Sequence, residues 1–98
     1  MMFVHNLTRE NNDVLLAVSD SDLLGRTLSE GKIEFEISKG FYGEEKVDGE
    51  EIIKAARKST IINAIGNDIV DLLVKHGFID EENVIKIEGI SHAQMVKI

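Results

Sequence analysis

The chain has 98 residues, 43% of them hydrophobic, with no cysteine or proline and a formal net charge of −7. That length supports a single core, so one domain over residues 1–98 is expected. The missing cysteines exclude disulfides and thiolate metal sites, and the acidity disfavours non-specific binding to phosphate backbones.

No apolar run approaches the roughly 20 residues needed to cross a bilayer. Met1-Met2-Phe3-Val4-His5 lacks the positive flank and long apolar stretch of a signal peptide. A cytoplasmic protein with no membrane role is expected. Charge is uneven: residues 1–50 carry 5 Lys/Arg against 11 Asp/Glu, residues 51–98 carry 6 against 7. Lys54, Arg57 and Lys58 form the one local basic group, which reads more simply as a solvated helix face than as a nucleic-acid contact.

Phe3 to Leu7 and Val14 to Ser19 read as two strands of a hairpin around the polar turn Thr8–Asp13. Ser19-Asp20-Ser21-Asp22 can cap a short helical turn through Leu23-Leu24, ended by Gly25. Ile33 to Ile37 shows strict alternation, with Ile33, Phe35 and Ile37 on one face and Glu34 and Glu36 on the other. This predicts a half-buried strand whose Phe35 packs beneath a helix while the two glutamates face solvent. Gly40-Phe41-Tyr42-Gly43 reads as a loop. Asp48, with Glu51 three residues on, predicts a capped helix whose buried side is Ile52, Ile53, Ala55 and Ala56. Glu50 and Lys54 stand in favourable i, i+4 order on it.

A longer helix is expected from Thr60 to His76, capped by Ser59 or Thr60. Ile61, Ile65, Ile69 and Leu72 form its stripe, and Asn63, Asn67, Asp71 and Lys75 its polar seam. Gly66 falls inside it, explained by close approach of another backbone. His76 and Gly77 suit the C-terminal end. Val84–Glu88 and Ala93–Ile98 then read as strands joined through Gly89-Ile90-Ser91-His92-Ala93-Gln94. The whole predicts an α+β fold: an antiparallel or mixed sheet of about five strands with two main helices on one face.

Few residues stand out chemically. No nucleophile motif, phosphate-cradling glycine loop or dinucleotide fingerprint is present, and no cofactor, metal or catalytic set is expected. The three histidines share no ligand spacing. His5 is in phase with Phe3 and Leu7, which gives it a partly buried, hydrogen-bonded role. His76 is explained by its helix end. His92 has no evident folding role, and an imidazole suits ligand binding or acid–base work. Phe41-Tyr42 between glycines is suited either to capping the core or to presentation to a partner. His92 and Gln94 are expected to reach the Phe41-Tyr42 segment or Asn63, so that Phe41, Tyr42, Asn63, His92 and Gln94 are the candidate binding residues.

Leu23-Leu24-Gly25-Arg26-Thr27, Glu30-Gly31, Phe41-Tyr42-Gly43, Thr60 to Gly66 and Ser91-His92-Ala93-Gln94 occur in an order that resembles the small archaeal family known as domain of unknown function 424. The likeness spans nearly the whole chain, departing at Glu44, where a second glycine is associated with the family. It implies an archaeal, cytoplasmic, uncharacterised small protein and carries over no activity. The leading expectation is a non-enzymatic binding or accessory module with a protein partner, RNA-related or translational work being weakly supported. A small-molecule enzyme using His92 as acid–base residue, or a structural homodimer subunit, are the alternatives.

Overall fold

The structure is a computed structural model that describes residues 1–97. It is α+β: a six-stranded mixed sheet and a separate two-stranded sheet, with helices between strands. Strands β1 (Phe3–Glu10) and β2 (Asp13–Asp20) form a hairpin with only Asn11 and Asn12 between them. Both strands therefore run through much of the predicted polar turn; Asn11 takes the positive φ, 56°, that this tight turn needs. A 3-10 turn at Ser21–Leu23 leads into the small hairpin of β3 (Thr27–Glu30) and β4 (Ile33–Glu36).

Lys39–Tyr42 (α1) is a single helical turn where a loop is predicted, started by Ser38, whose side chain accepts from the Phe41 N–H. Lys46–Val47 (β5) pairs with β1. Gly49–Lys58 (α2) starts as predicted, with Asp48 Oδ1 accepting from the Glu51 N–H at 3.1 Å. The ion pair on α2 is Lys54 with Glu51 at 3.7 Å, an exposed i, i+3 pair, and not Lys54 with Glu50.

The predicted Thr60–His76 helix is corrected. Ile61–Ile65 is strand β6, and only Asn67–Lys75 is helical (α3). The run Ile-Ile-Asn-Ala-Ile fits a helical stripe by period, but its three isoleucines are β-branched and its short length before Gly66 suits a central strand. Gly66 breaks the two apart at φ 130°. Its missing Cβ leaves room for the Asp20 carboxylate, with which a Cβ there would collide. The close neighbour is thus a side chain, not a second backbone. Ser59 ends α2, its Oγ donating to the Ala55 carbonyl, and Thr60 ties strands together, its Oγ1 accepting from the Val14 N–H.

Beyond α3, Ile85–Ile87 (β7) and Ile90–Val96 (β8) form a hairpin. The turn is only Glu88-Gly89, with φ of 52° and 76°. Ser91, His92, Ala93 and Gln94 therefore belong to a strand, which is the second correction; the last predicted strand residue, Ile98, lies outside the described residues. The sheet order is β5-β1-β2-β6-β8-β7. Among the described residues only the β2–β6 pair of this sheet is parallel.

Alternation divides the sheet into two faces. Leu16, Val18, Ile62, Ala64 and Ala93 point to the layer of α2 and α3, where Ile52, Ile69 and Leu73 complete the main core. Burying each of the Leu, Ile and Val side chains among them contributes about 1.5–3 kcal/mol. The opposite face packs a second core under the β3–β4 hairpin and α1, from Val4, Ala17, Leu28, Ile37, Tyr42 and Ile65. Phe35 belongs to this second layer, so it does not lie beneath α3 as predicted. Glu34 and Glu36 are exposed as expected, but so is Ile33, at 56%. A free hairpin has solvent beyond its tip, which frees Ile33 from the alternation rule.

Candidate binding face

On the hairpin side of the sheet, cross-strand register sorts the side chains into three rows. The first, Lys46–Val4–Ser19–Ile65–His92–Ile85, is buried under the hairpin except at its two edges, Lys46 and Ile85. One pleat further on, the second is Asn6–Ala17–Asn63–Gln94, and the third is Thr8–Leu15–Ile61–Val96. Exposure rises along that direction, ending at Val96 with 64%. No charged side chain stands in the second or third row.

The second row borders α1. The Tyr42 hydroxyl donates to Asn63 Oδ1 at 2.7 Å, and burial pushes this phenol far above its ordinary range. Phe41, 41% exposed, stacks edge-on against Tyr42 with ring centroids 4.8 Å apart. Asn6 reaches the Phe41 carbonyl, Nδ2 to O 3.5 Å. The loop after Gly43 must pass close to β1, because a Cβ at Gly43 would overlap the His5 carbonyl.

His92 is 6% exposed and sits at the margin of the covered row. Its Nδ1 lies 2.8 Å from the Ala64 carbonyl oxygen, which can only accept, so Nδ1 carries the proton. The ring packs on Phe35, with centroids 4.9 Å apart, and Phe35 in turn lies 6.5 Å from Tyr42. Burial holds the imidazole below its ordinary value, against the opposing pull of the Ala64 carbonyl. Beside it a shallow pocket is lined by Asn83, Ile85, His92, Ala93 and Gln94.

The five residues singled out from sequence thus share one side of the sheet. Phe35 bridges His92 and Tyr42, Tyr42 bonds Asn63, and Asn63 is the register partner of Gln94. Sequence reasoning missed Asn6, Leu15, Ile61 and Val96, which complete the uncovered rows. Their alternation was visible, but which rows a distant hairpin would cover was not. It also missed the work of Asp20, whose side chain does not cap the short turn that follows it. Its carboxylate accepts instead from the N–H groups of Asp68 at 3.1 Å and Ile69 at 2.8 Å, capping α3 where Gly66 has no side chain to do so. Burial, outweighing those two bonds, raises its pKa above the usual carboxylate value.

The remaining sequence candidates lie elsewhere. His76 ends α3, its Nδ1 3.0 Å from the Leu72 carbonyl oxygen. His5 is half-buried on the helix side, and its Nδ1 is buried without the hydrogen bond that was expected. The basic residues of α2 are on the helix layer, where Lys54 and Arg57 share a groove with Glu50 and His76. Among the described residues no group of three His, Cys, Asp or Glu could hold a metal ion, and no helix is long and apolar enough to cross a membrane.

Fold and face together define an α+β protein whose mixed sheet is covered by helices on one side and half-covered by a hairpin on the other. The chain belongs to the family described as Protein of unknown function (DUF424), which it matches over residues 7–98. It is similar to a crystal structure of an uncharacterized conserved protein from Methanopyrus kandleri, with a TM-score of 0.82 and 25% identity over 100% of this chain and 95% of that one. No curated protein matches the chain.

Proposed function

We propose that the protein is a non-enzymatic module that binds a protein partner through the uncovered half of its sheet. The observation that carries this reading is the pair of uncharged rows beyond the hairpin, which only α1 borders: Asn6, Asn63 and Gln94 beside Leu15, Ile61 and Val96. A continuous apolar row flanked by amides supplies area for burial and hydrogen bonds for orientation, as a protein interface requires. Phe41 at the rim adds an aromatic anchor.

Charge weighs against nucleic acid at this face. Neither row offers a cation to a phosphate, the chain is acidic overall, and its one basic group is on the opposite layer. The same acidity, a net charge of −7, disfavours a second copy of the chain as the occupant. An acid–base role for His92 is the second reading, supported by its fixed tautomer beside a pocket.

The test is affinity capture from the native cytosol, with and without nuclease, using the wild type and Val96→Glu. A protein captured by the wild type, resistant to nuclease and lost with Val96→Glu, is expected. Capture that depends on RNA, or that survives Val96→Glu together with Phe41→Ala, would overturn the reading. No retention on bulk RNA is expected at about 150 mM salt.

A further inference from the structure

The His92 ring is more than nine-tenths buried, yet only half of its hydrogen-bonding capacity is used. Nδ1 is committed to Ala64, whereas Nε2 has no protein partner among the described residues. Nε2 is not sealed either, because His5 Nδ1 is the only side-chain nitrogen or oxygen there that is both buried and unpartnered. The Nε2 lone pair is therefore open to solvent, and His92 lines a pocket with Asn83, Ile85 and Gln94. The two amides supply a donor and an acceptor each, Ile85 supplies an apolar edge, and Phe35 holds the imidazole from behind.

We propose that this pocket is a binding site for a small uncharged ligand of the carboxamide or heterocycle type, which donates an N–H to His92 Nε2 and exchanges hydrogen bonds with Asn83 and Gln94. The ligand must donate because Nε2 can only accept in this tautomer. It is uncharged because no ionised side chain lines the pocket to pair with a charged group. Anions are disfavoured further by the exposed run Asp80-Glu81-Glu82 immediately before Asn83. This site stands on His92 and shares only Gln94 with the partner surface, which Asn6, Asn63, Leu15, Ile61 and Val96 carry beyond it.

The test uses protein with 15N-labelled histidine and follows the His92 Nε2 resonance by NMR. Nicotinamide and cytosine serve as uncharged donor probes, with nicotinate and cytidine monophosphate as their anionic counterparts. A saturable upfield shift of Nε2 at millimolar nicotinamide or cytosine is expected, with the anionic counterpart at least about fivefold weaker, the equivalent of one neutral hydrogen bond. His92→Phe keeps a ring on Phe35 but removes the reporting nitrogen, so it is followed in uniformly 15N-labelled protein: it should lose the ligand-induced amide shifts of Asn83 and Gln94 seen in the wild type, while the ligand-free amide shifts of Asn6, Leu15 and Ile61 stay unaltered. If that variant fails to fold, Gln94→Leu at an exposed position takes its place and should weaken binding severalfold. Absence of any saturable Nε2 shift with both uncharged probes, equal response to the anions, or undiminished binding in these variants would overturn the proposal. Loss of partner capture with Val96→Glu while Nε2 still responds would separate this site from the partner surface.

Discussion

The two faces of the six-stranded sheet are finished in different ways. On the helix side, α2 and α3 bring complementary apolar stripes, and the central strands present Leu16, Val18, Ile62 and Ala64 to them without a polar interruption. On the other side the cover is a four-residue helix and a hairpin, and the sheet residues change from buried apolar to amide to partly exposed aliphatic within two pleats. Folding free energy accounts for the first face fully. It does not account for Val96 left in water at the end of a half-buried aliphatic row beside three amides, which is why the functional reading rests on the second.

Substitutions can break this contrast, and the largest effect belongs to the helix side. Ile62→Ala removes a fully buried side chain between β2, β8 and the helices, and should cost about 2–5 kcal/mol in a urea melt. A cost near that of a surface change would mean that the helix layer is not the main core.

Asp20→Ala should cost about 1–2 kcal/mol, because it strips the cap from α3. The titrations of Asp20 and His92 act in opposite directions. His92 has its folded pKa below the unfolded value of 6.5, so its contribution is present above pH 6.5 and declines as pH falls through that value towards the folded pKa. Asp20 has its folded pKa above 3.8, so the fold binds its proton more readily, and the Asp20 contribution grows as pH falls through the folded pKa towards 3.8. Chemical denaturation across pH should show the acid-side loss shrink in His92→Phe; an unchanged profile would remove His92 from the titration.

Tyr42→Phe deletes the hydroxyl bonded to Asn63 and should cost about 1 kcal/mol, since Asn63 is only half-buried and water can replace the donor. Val96→Glu should change stability by no more than about 0.5 kcal/mol, being on the uncovered row. A large loss there would show that the row is part of the core, and would weaken its use as an interaction surface.

The reading of the sequence succeeded where local chemistry decided the outcome. Asp48 with Glu51 marks the start of α2, Gly77 follows the end of α3, and the alternation of Glu34 and Glu36 places both in water. It failed at Ile61–Ile65, where a five-residue apolar run satisfies helix and strand periods equally, and only its position between β2 and β8 decides. The turn at Glu88-Gly89 was misplaced because Ser91, His92 and Gln94 look like loop residues until Ile65 and Asn63 are known to lie opposite them. Of the candidate face, the five residues were legible as polar or aromatic groups without a folding task. Asn6, Leu15, Ile61 and Val96 were not, since an ordinary alternating strand becomes an open surface only when no distant segment covers it.

The single parallel pairing has a consequence for how the chain reaches this structure. β1 with β2, and β7 with β8, are joined by two-residue turns and can zip within microseconds of collapse. β2 and β6 meet only after residues 21–60 have been looped out, a closure whose entropy must be met before any of its contacts form. The seam between Leu15–Ser19 and Ile61–Ile65 should therefore govern the folding rate. Altering Val18 or Ala64 there should slow refolding, whereas altering the Glu88-Gly89 turn should chiefly hasten unfolding if that hairpin closes after the seam.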